Sequence, residues 1–157
     1  NLSKEGRDIG NWWDDLSEFV RNLEKDKKLD QGREGEEKTI RYEINKLKKL
    51  DIKKEPKWIS YEDNSAGYDV LSWDEEQNKI FIEVKATNNS NGLFYLSKGE
   101  WRFSVSEKDN YFIHVWIQDK KEPRIITYSE LNSKNYKIEE SSNAEWEKIK
   151  ITPVLMN

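Results

Sequence analysis

The hydrophobic period changes part-way along this chain, and that change limits the fold more than any other feature. Up to Leu50 the apolar residues recur at helical spacing. Beyond Trp58 they gather into short β-rich runs separated by turn residues. A chain that is helical first and then mixes strands with further helix must lay its helices on a sheet. We therefore expect an α/β sandwich with a central mixed β-sheet flanked by helices, preceded by an amphipathic N-terminal helix. Only 34% of the residues are hydrophobic and 37% are charged, a balance that approaches that of disordered chains. Seven Trp, seven Tyr and five Phe offset it, because each aromatic ring buries a large area.

Asn11 has the character of an N-cap, and Trp12, Leu16, Phe19, Val20 and Leu23 follow as an apolar stripe that closes at Lys25, Lys27 and Lys28. A break is expected at 29–32. A second helix is expected from about Arg33 to Leu50, with Glu34, Glu36 and Glu37 at its front and Lys46, Lys48 and Lys49 at its rear, as the macrodipole favours. The organisation read from this is an N-terminal helical extension over 1–30 and a domain over 31–157. Within the domain the spacing predicts a short strand at 58–61 and a hairpin of 67–73 with 79–86. Further strands are expected at 93–96, 111–117, 124–127 and 146–151, with a turn of helix at 128–132. Ser97-Lys98-Gly99-Glu100 has the form of a capping box that would start a helix.

Several chemistries are excluded by inspection. Without Cys there is no disulfide, thiolate zinc site or cysteine nucleophile, and one His removes HExxH and most triads. His114, inside an apolar strand, reads as a packed residue. No GxxxxGK[ST], GxGxxG or GxSxG occurs. No run approaches the roughly 20 apolar residues of a membrane span, and 1–25 is too charged for a signal peptide, so a cytoplasmic protein without membrane contact is expected. The chain begins at Asn1, which we read as a piece of a longer protein. Net charge is 27 − 31 = −4, against a general affinity for nucleic acid, but the charges segregate. Lys46, Lys48, Lys49, Lys53, Lys54 and Lys57 form a basic shoulder able to bind phosphates.

What remains for chemistry is carboxylates and lysines. Glu-x-Lys occurs at Glu36/Lys38, Glu55/Lys57 and Glu83/Lys85, but only the last lies within an apolar strand. Alternation sends Ile80, Ile82, Val84 and Ala86 to one face and Phe81, Glu83 and Lys85 to the other. Asp69, on the preceding hairpin arm, would stand within reach of Glu83. On the second helix Glu36 falls in the middle of the stripe Ile40, Ile44, Leu47 and Leu50. A carboxylate aimed at a core is costly unless a cation or hydrogen-bond donors meet it.

Gly32-Arg33-Glu34-Gly35-Glu36-Glu37, Tyr42-Glu43, Leu47, Ala66-Gly67-Tyr68-Asp69-Val70-Leu71-Ser72, Ile82-Glu83-Val84-Lys85-Ala86-Thr87, Phe94-Tyr95-Leu96-Ser97, Glu100 and Tyr111 together resemble one known pattern. It is that of the domain found at the C-terminus of the plant protein NO VEIN and in many bacterial multidomain proteins. That family is similar to the PD-(D/E)xK, or restriction-endonuclease-like, nucleases, and the likeness covers about 31–128. It implies Asp69 and Glu83 as metal ligands, Lys85 as the catalytic lysine, Glu36 as the helix-borne acid that joins them in holding the metal, and the Val84 carbonyl as a further ligand. Tyr68 stands where the superfamily name has Pro. The cofactor implied is Mg²⁺ or Mn²⁺, whose hard oxygen preference suits these residues.

The function expected is metal-dependent cleavage of phosphodiester bonds in DNA by the cutting module of a larger restriction, defence or repair protein. Partners would be DNA, the host protein's other domains, and a second copy if both strands of a duplex are cut. Two alternatives belong to other classes. One is an inactive nuclease-like fold that binds nucleic acid or protein, and the other an interaction domain docking through the Trp12 helix. Ser97 and Glu100 are explained by the capping box alone.

Overall fold

The computed structural model describes residues 4–63, 65–140 and 148–155. Two units are distinguished, Asn1–Arg33 and Glu34–Asn157. Helix α1 (Lys4–Lys49) runs through the expected break at 29–32 and begins before Asn11, which is therefore not its N-cap. A lone glycine such as Gly32 costs a helix only about 1 kcal/mol, and the i,i+4 pairs Glu34–Lys38 and Glu37–Arg41 support the turns that follow. In the first unit Trp12, Trp13, Leu16, Phe19, Val20, Leu23 and Leu29 are exposed.

In the second unit, β1 (Lys57–Trp58) leads into the single-turn helix α2 (Ile59–Glu62), so only the front of the strand expected at 58–61 forms. The hairpin is β2 (Val70–Trp73) and β3 (Lys79–Thr87). Then come β4 (Phe94–Ser97), α3 (Lys98–Glu107), β5 (Tyr111–Ile117), β6 (Arg124–Thr127), α4 (Tyr128–Leu131), β7 (Tyr136–Glu140) and β8 (Lys148–Pro153). Helix α3 starts at the complete capping box of Ser97 and Glu100. Strand β7 has no counterpart among the expected elements. The last strand lies later than 146–151, and Trp146 falls outside the described residues.

The five-stranded sheet has the order β1-β2-β3-β5-β6. Its β3–β5 pair is parallel and the others antiparallel. This is the mixed sheet expected, and the parallel pair follows because β4 and α3 carry the chain over between its strands. A second, antiparallel sheet has the order β4-β8-β7. The alternation read in β3 is present. Ile80, Ile82 and Val84 join Val70 and Trp116 in one core with Ile40 and Tyr42 of α1, whereas Phe81 packs on the other face against a core of Tyr111, Ile113, Leu96 and Ile151.

The buried face of α1 is rotated from the one expected. Gly35, Thr39, Glu43 and Leu47 are buried, while Ile44 and Leu50 are 44% and 37% exposed. At about 100° per residue the true face is centred some 60° from the apolar stripe. Small residues explain this. A Cβ on Gly35 would come 3.3 Å from Val84 Cγ1, and the Thr39 hydroxyl accepts the Trp116 indole N–H at 2.8 Å. Close approach of the helix to β3 outweighs burial of two aliphatic chains, and it leaves Glu36 half-buried at the edge of the contact.

Candidate functional site

Asp69 lies one residue before β2, and its N–H donates to the Ile82 carbonyl at 2.9 Å. Val70 and Ile82 are the first pair of the hairpin, so Asp69 stands just beyond the ladder, beside the stretch of β3 that carries Glu83. The Asp69 carbonyl accepts the N–H groups of Ile59 and Ser60 at 2.8 and 3.1 Å, tying α2 to this corner. Its Oδ2 accepts the Val84 N–H at 2.8 Å. Glu83 is 3% exposed, and its Oε1 stands 3.0 Å from Lys85 Nζ. That ammonium also donates to Glu100 Oε2 at 2.9 Å. Glu36 Oε2 accepts the Trp58 indole N–H at 2.6 Å and the Ser60 hydroxyl at 2.9 Å. A half-buried carboxylate with two such donors is satisfied as the physics requires.

Glu36, Gly67, Tyr68, Asp69, Glu83 and Glu100 border one cavity of about 300 Å³. Gly67 shapes its wall from φ +84°, where a Cβ would press on the Phe103 ring, and Tyr68 stacks on that ring at 5.1 Å. Burial pushes the Asp69 carboxyl up to about 6; the Val84 N–H opposes this and Glu36 adds to it. Burial likewise raises Glu83 well above the usual range, with Lys85 opposing and Asp69 and Glu100 adding to it. For Lys85 burial alone would lower the value, but Glu83 and then Glu100 outweigh it, so the amine holds its proton. Burial would also raise Glu100, yet Lys85 and the Ser97 N–H hold it below the usual range. One ammonium thus faces several carboxyl groups, an imbalance that a cation would relieve.

Glu36, Asp69 and Glu83 border the same cavity, Val84 meets Asp69 and Lys85 meets Glu83, while Glu36 Oε2 is taken by Trp58 and Ser60. Among the described residues no three His, Cys, Asp or Glu side chains are grouped so as to hold a metal ion. Asp69 and Glu83 are nevertheless a pair of hard donors, and Mg²⁺ commonly binds through one or two carboxylates and completes its shell with water and phosphate. The pair fits such an ion. The Val84 N–H donates to Asp69 Oδ2. Glu100, read from the sequence as a cap, also touches Lys85. In the sequence Glu100 stands in the family pattern and three residues after Ser97, and neither place says anything of a lysine on β3.

The basic shoulder stands apart. Lys46 pairs with the buried Glu43 at 2.7 Å, Lys54 lies over the Trp73 ring, and Lys48, Lys49, Lys53 and Lys57 are exposed. None of the six borders the acidic cavity. His114 is a packed residue, as expected. Burial and then Lys46 hold its ring down at about 3, and its Nδ1 stands 3.4 Å from the Thr39 hydroxyl. Tyr111 was read only as a strand and motif residue, yet its buried hydroxyl has no hydrogen-bond partner among the described residues, and burial, then the carboxyl groups of Glu83, Glu100 and Asp69, push it well above the usual range.

The family model described as Protein NO VEIN, C-terminal, matches residues 35–128. The chain belongs to this family. Comparison with the curated proteins finds no match. The NO VEIN C-terminal segment contains Glu36, Asp69, Glu83, Lys85 and Glu100 together, and it ends within α4. Two of the three strands of the second sheet, β7 and β8, therefore come from residues beyond the match. No helix among the described residues is long and apolar enough to cross a membrane.

Proposed function

We propose that this NO VEIN C-terminal domain is a Mg²⁺- or Mn²⁺-dependent nuclease. It would hydrolyse phosphodiester bonds in DNA as the cytoplasmic cleavage module of a larger restriction, defence or repair protein. In this reading the sheet and its helices are a form of the PD-(D/E)xK, restriction-endonuclease-like sandwich. The observation that carries the proposal is that Asp69, just before β2, and Glu83, on β3, border one cavity, with the Lys85 ammonium 3.0 Å from Glu83.

Asp69 and Glu83 would hold the ion, with Glu36 at the cavity edge as the helix-borne acid. When bound, the ion supplies Lewis acidity and hydroxide at neutral pH. Lys85 keeps its proton, so it acts as a fixed donor to a phosphate oxygen or the attacking water and not as a general base. Lys46, Lys48, Lys49, Lys53, Lys54 and Lys57 would track the nucleic-acid backbone outside the cavity. Other domains of the host protein and a second copy complete the assembly.

One observation favours the alternative of a silent nuclease-like binding module. Lys85 is neutralised by two carboxylates and Asp69 Oδ2 is already engaged, as in a structural charge cluster. The deciding experiment is a cleavage assay on single- and double-stranded DNA and RNA with Mn²⁺, comparing wild type with Lys85→Ala and Asp69→Asn. Cleavage by wild type alone supports the proposal. Equal cleavage by all three proteins, or none by wild type, overturns it.

A further inference from the structure

Glu100 does two jobs with one oxygen. Its Oε2 accepts the Ser97 N–H at 2.8 Å, closing the capping box of α3. The same atom accepts from Lys85 Nζ at 2.9 Å. The Ser97 N–H fixes where this carboxylate stands, and the Glu100 N–H returns a hydrogen bond to Ser97 Oγ at 3.1 Å. A helix on one side of the second sheet thus sets the position of an ammonium on β3.

The need for such a holder follows from the charges. Lys85 has two carboxylate partners, Glu83 and Glu100. A divalent ion on Glu83 would compete for that carboxylate and repel the ammonium, and a lysine with four rotatable bonds would then swing to water. Glu100 faces the same cavity but has its own donors in the cap, so it remains as the counter-charge when Glu83 is taken. We infer that Glu100 is a positioning residue, which holds the Lys85 ammonium beside Glu83 while Glu83 is engaged by a cation. The inference rests on the proposed nuclease reading for its catalytic consequence, but the positioning itself is a property of the folded chain.

The test separates cap, charge and chemistry with three full-chain variants. Ser97→Ala removes the hydroxyl acceptor of the cap but keeps the backbone N–H that holds Glu100. Glu100→Gln keeps a side chain suited to the cap but loses the charge, and Glu100→Ala loses both. The first readout is the Lys85 ammonium ¹H–¹⁵N cross-peak in saturating Mg²⁺, which a hindered, paired amine retains. It is expected in wild type and Ser97→Ala, and lost in Glu100→Ala and Glu100→Gln. A cross-peak unchanged in both Glu100 variants overturns the inference whatever the cleavage assay gives. The second readout is steady-state cleavage with Mn²⁺. Here kcat should fall about 10²-fold in Glu100→Ala, the scale of one misplaced catalytic group, with KM little changed. Ser97→Ala should stay within about twofold despite a lower Tm. A kcat loss in Ser97→Ala equal to that in Glu100→Ala would mean that α3 stability matters, not the charge, and would also overturn the inference. Wild type that shows the cross-peak but cleaves nothing sinks the nuclease reading and leaves the positioning intact.

Discussion

Asp69→Asn should stabilise the protein, and by an amount that depends on pH. The carboxyl is lifted from its ordinary 3.8 to about 6, chiefly by burial. Below 3.8 the group is protonated in both folded and unfolded chains, and its contribution to stability is complete. As pH climbs through 6 the native state must give up a proton that it binds more tightly than the unfolded chain does, and stability is lost. From 3.8 to about 6, at 1.36 kcal/mol for each pH unit, the loss at pH 8 is about 3 kcal/mol. Asparagine carries no charge, and its carbonyl oxygen can still accept the Val84 N–H. Urea unfolding of both proteins in EDTA, followed by Trp fluorescence at pH 4, 5, 6, 7 and 8, isolates this one group in the difference. The variant should gain almost nothing at pH 4 and about 3 kcal/mol at pH 8, with most of the change between pH 4 and 6. A difference that is flat with pH, or a variant less stable at pH 8, would refute the reasoning that burial governs this carboxyl. Repeating the pH 8 series with Mn²⁺ adds a second arm. Metal at ten times its Kd should restore about 1.4 kcal/mol to wild type and nothing to Asp69→Asn.

Three further outcomes are expected. Lys85→Met leaves Glu83 buried without its counter-charge and should cost about 3 kcal/mol at pH 8. The cost should shrink in acid, where Glu83 takes up a proton, and equal losses at pH 4 and pH 8 would argue for packing instead. Thr39→Val leaves the buried Trp116 N–H without an acceptor and should lower urea stability by about 1 to 3 kcal/mol; a neutral result would mean that the indole finds another acceptor. Gly67→Ala forces an L side chain into φ +84° against Phe103 and should lower stability by about 1 to 3 kcal/mol, measured as Tm, with loss of the near-UV signal of the Tyr68–Phe103 stack.

Much of this protein was legible one element at a time. The strand Tyr111–Ile117 could be read to the residue because an unbroken apolar run between polar segments leaves little choice. Helix α3 was legible because Ser97 and Glu100 form a local device whose two hydrogen bonds span only three residues. The facing of Ile80, Ile82 and Val84 away from Phe81, Glu83 and Lys85 followed from the pleat alone. Alternation also made Asp69 and Glu83 neighbours, since a hairpin fixes its own register.

What failed was whatever depended on a neighbour distant in sequence. The turn of α1 about its axis could not be read from the helix, because Gly35 and Thr39 are small only with respect to Val84 and Trp116, which lie on other strands. The expected break at 29–32 weighed a glycine without the helix continuing on either side. Strand β7, with most of its side chains exposed, gives little apolar signal, and pairing with β8 is what makes it a strand. Sequence by itself therefore determined the period of each segment and the residue types of the site, since both are set by forces acting within a few residues. Tertiary structure alone decided that Glu36 is met by Trp58 and Ser60, and that Lys85 is shared between Glu83 and Glu100. Those partners are brought together by sheet order and helix packing, and no spacing along the chain encodes the distance between them.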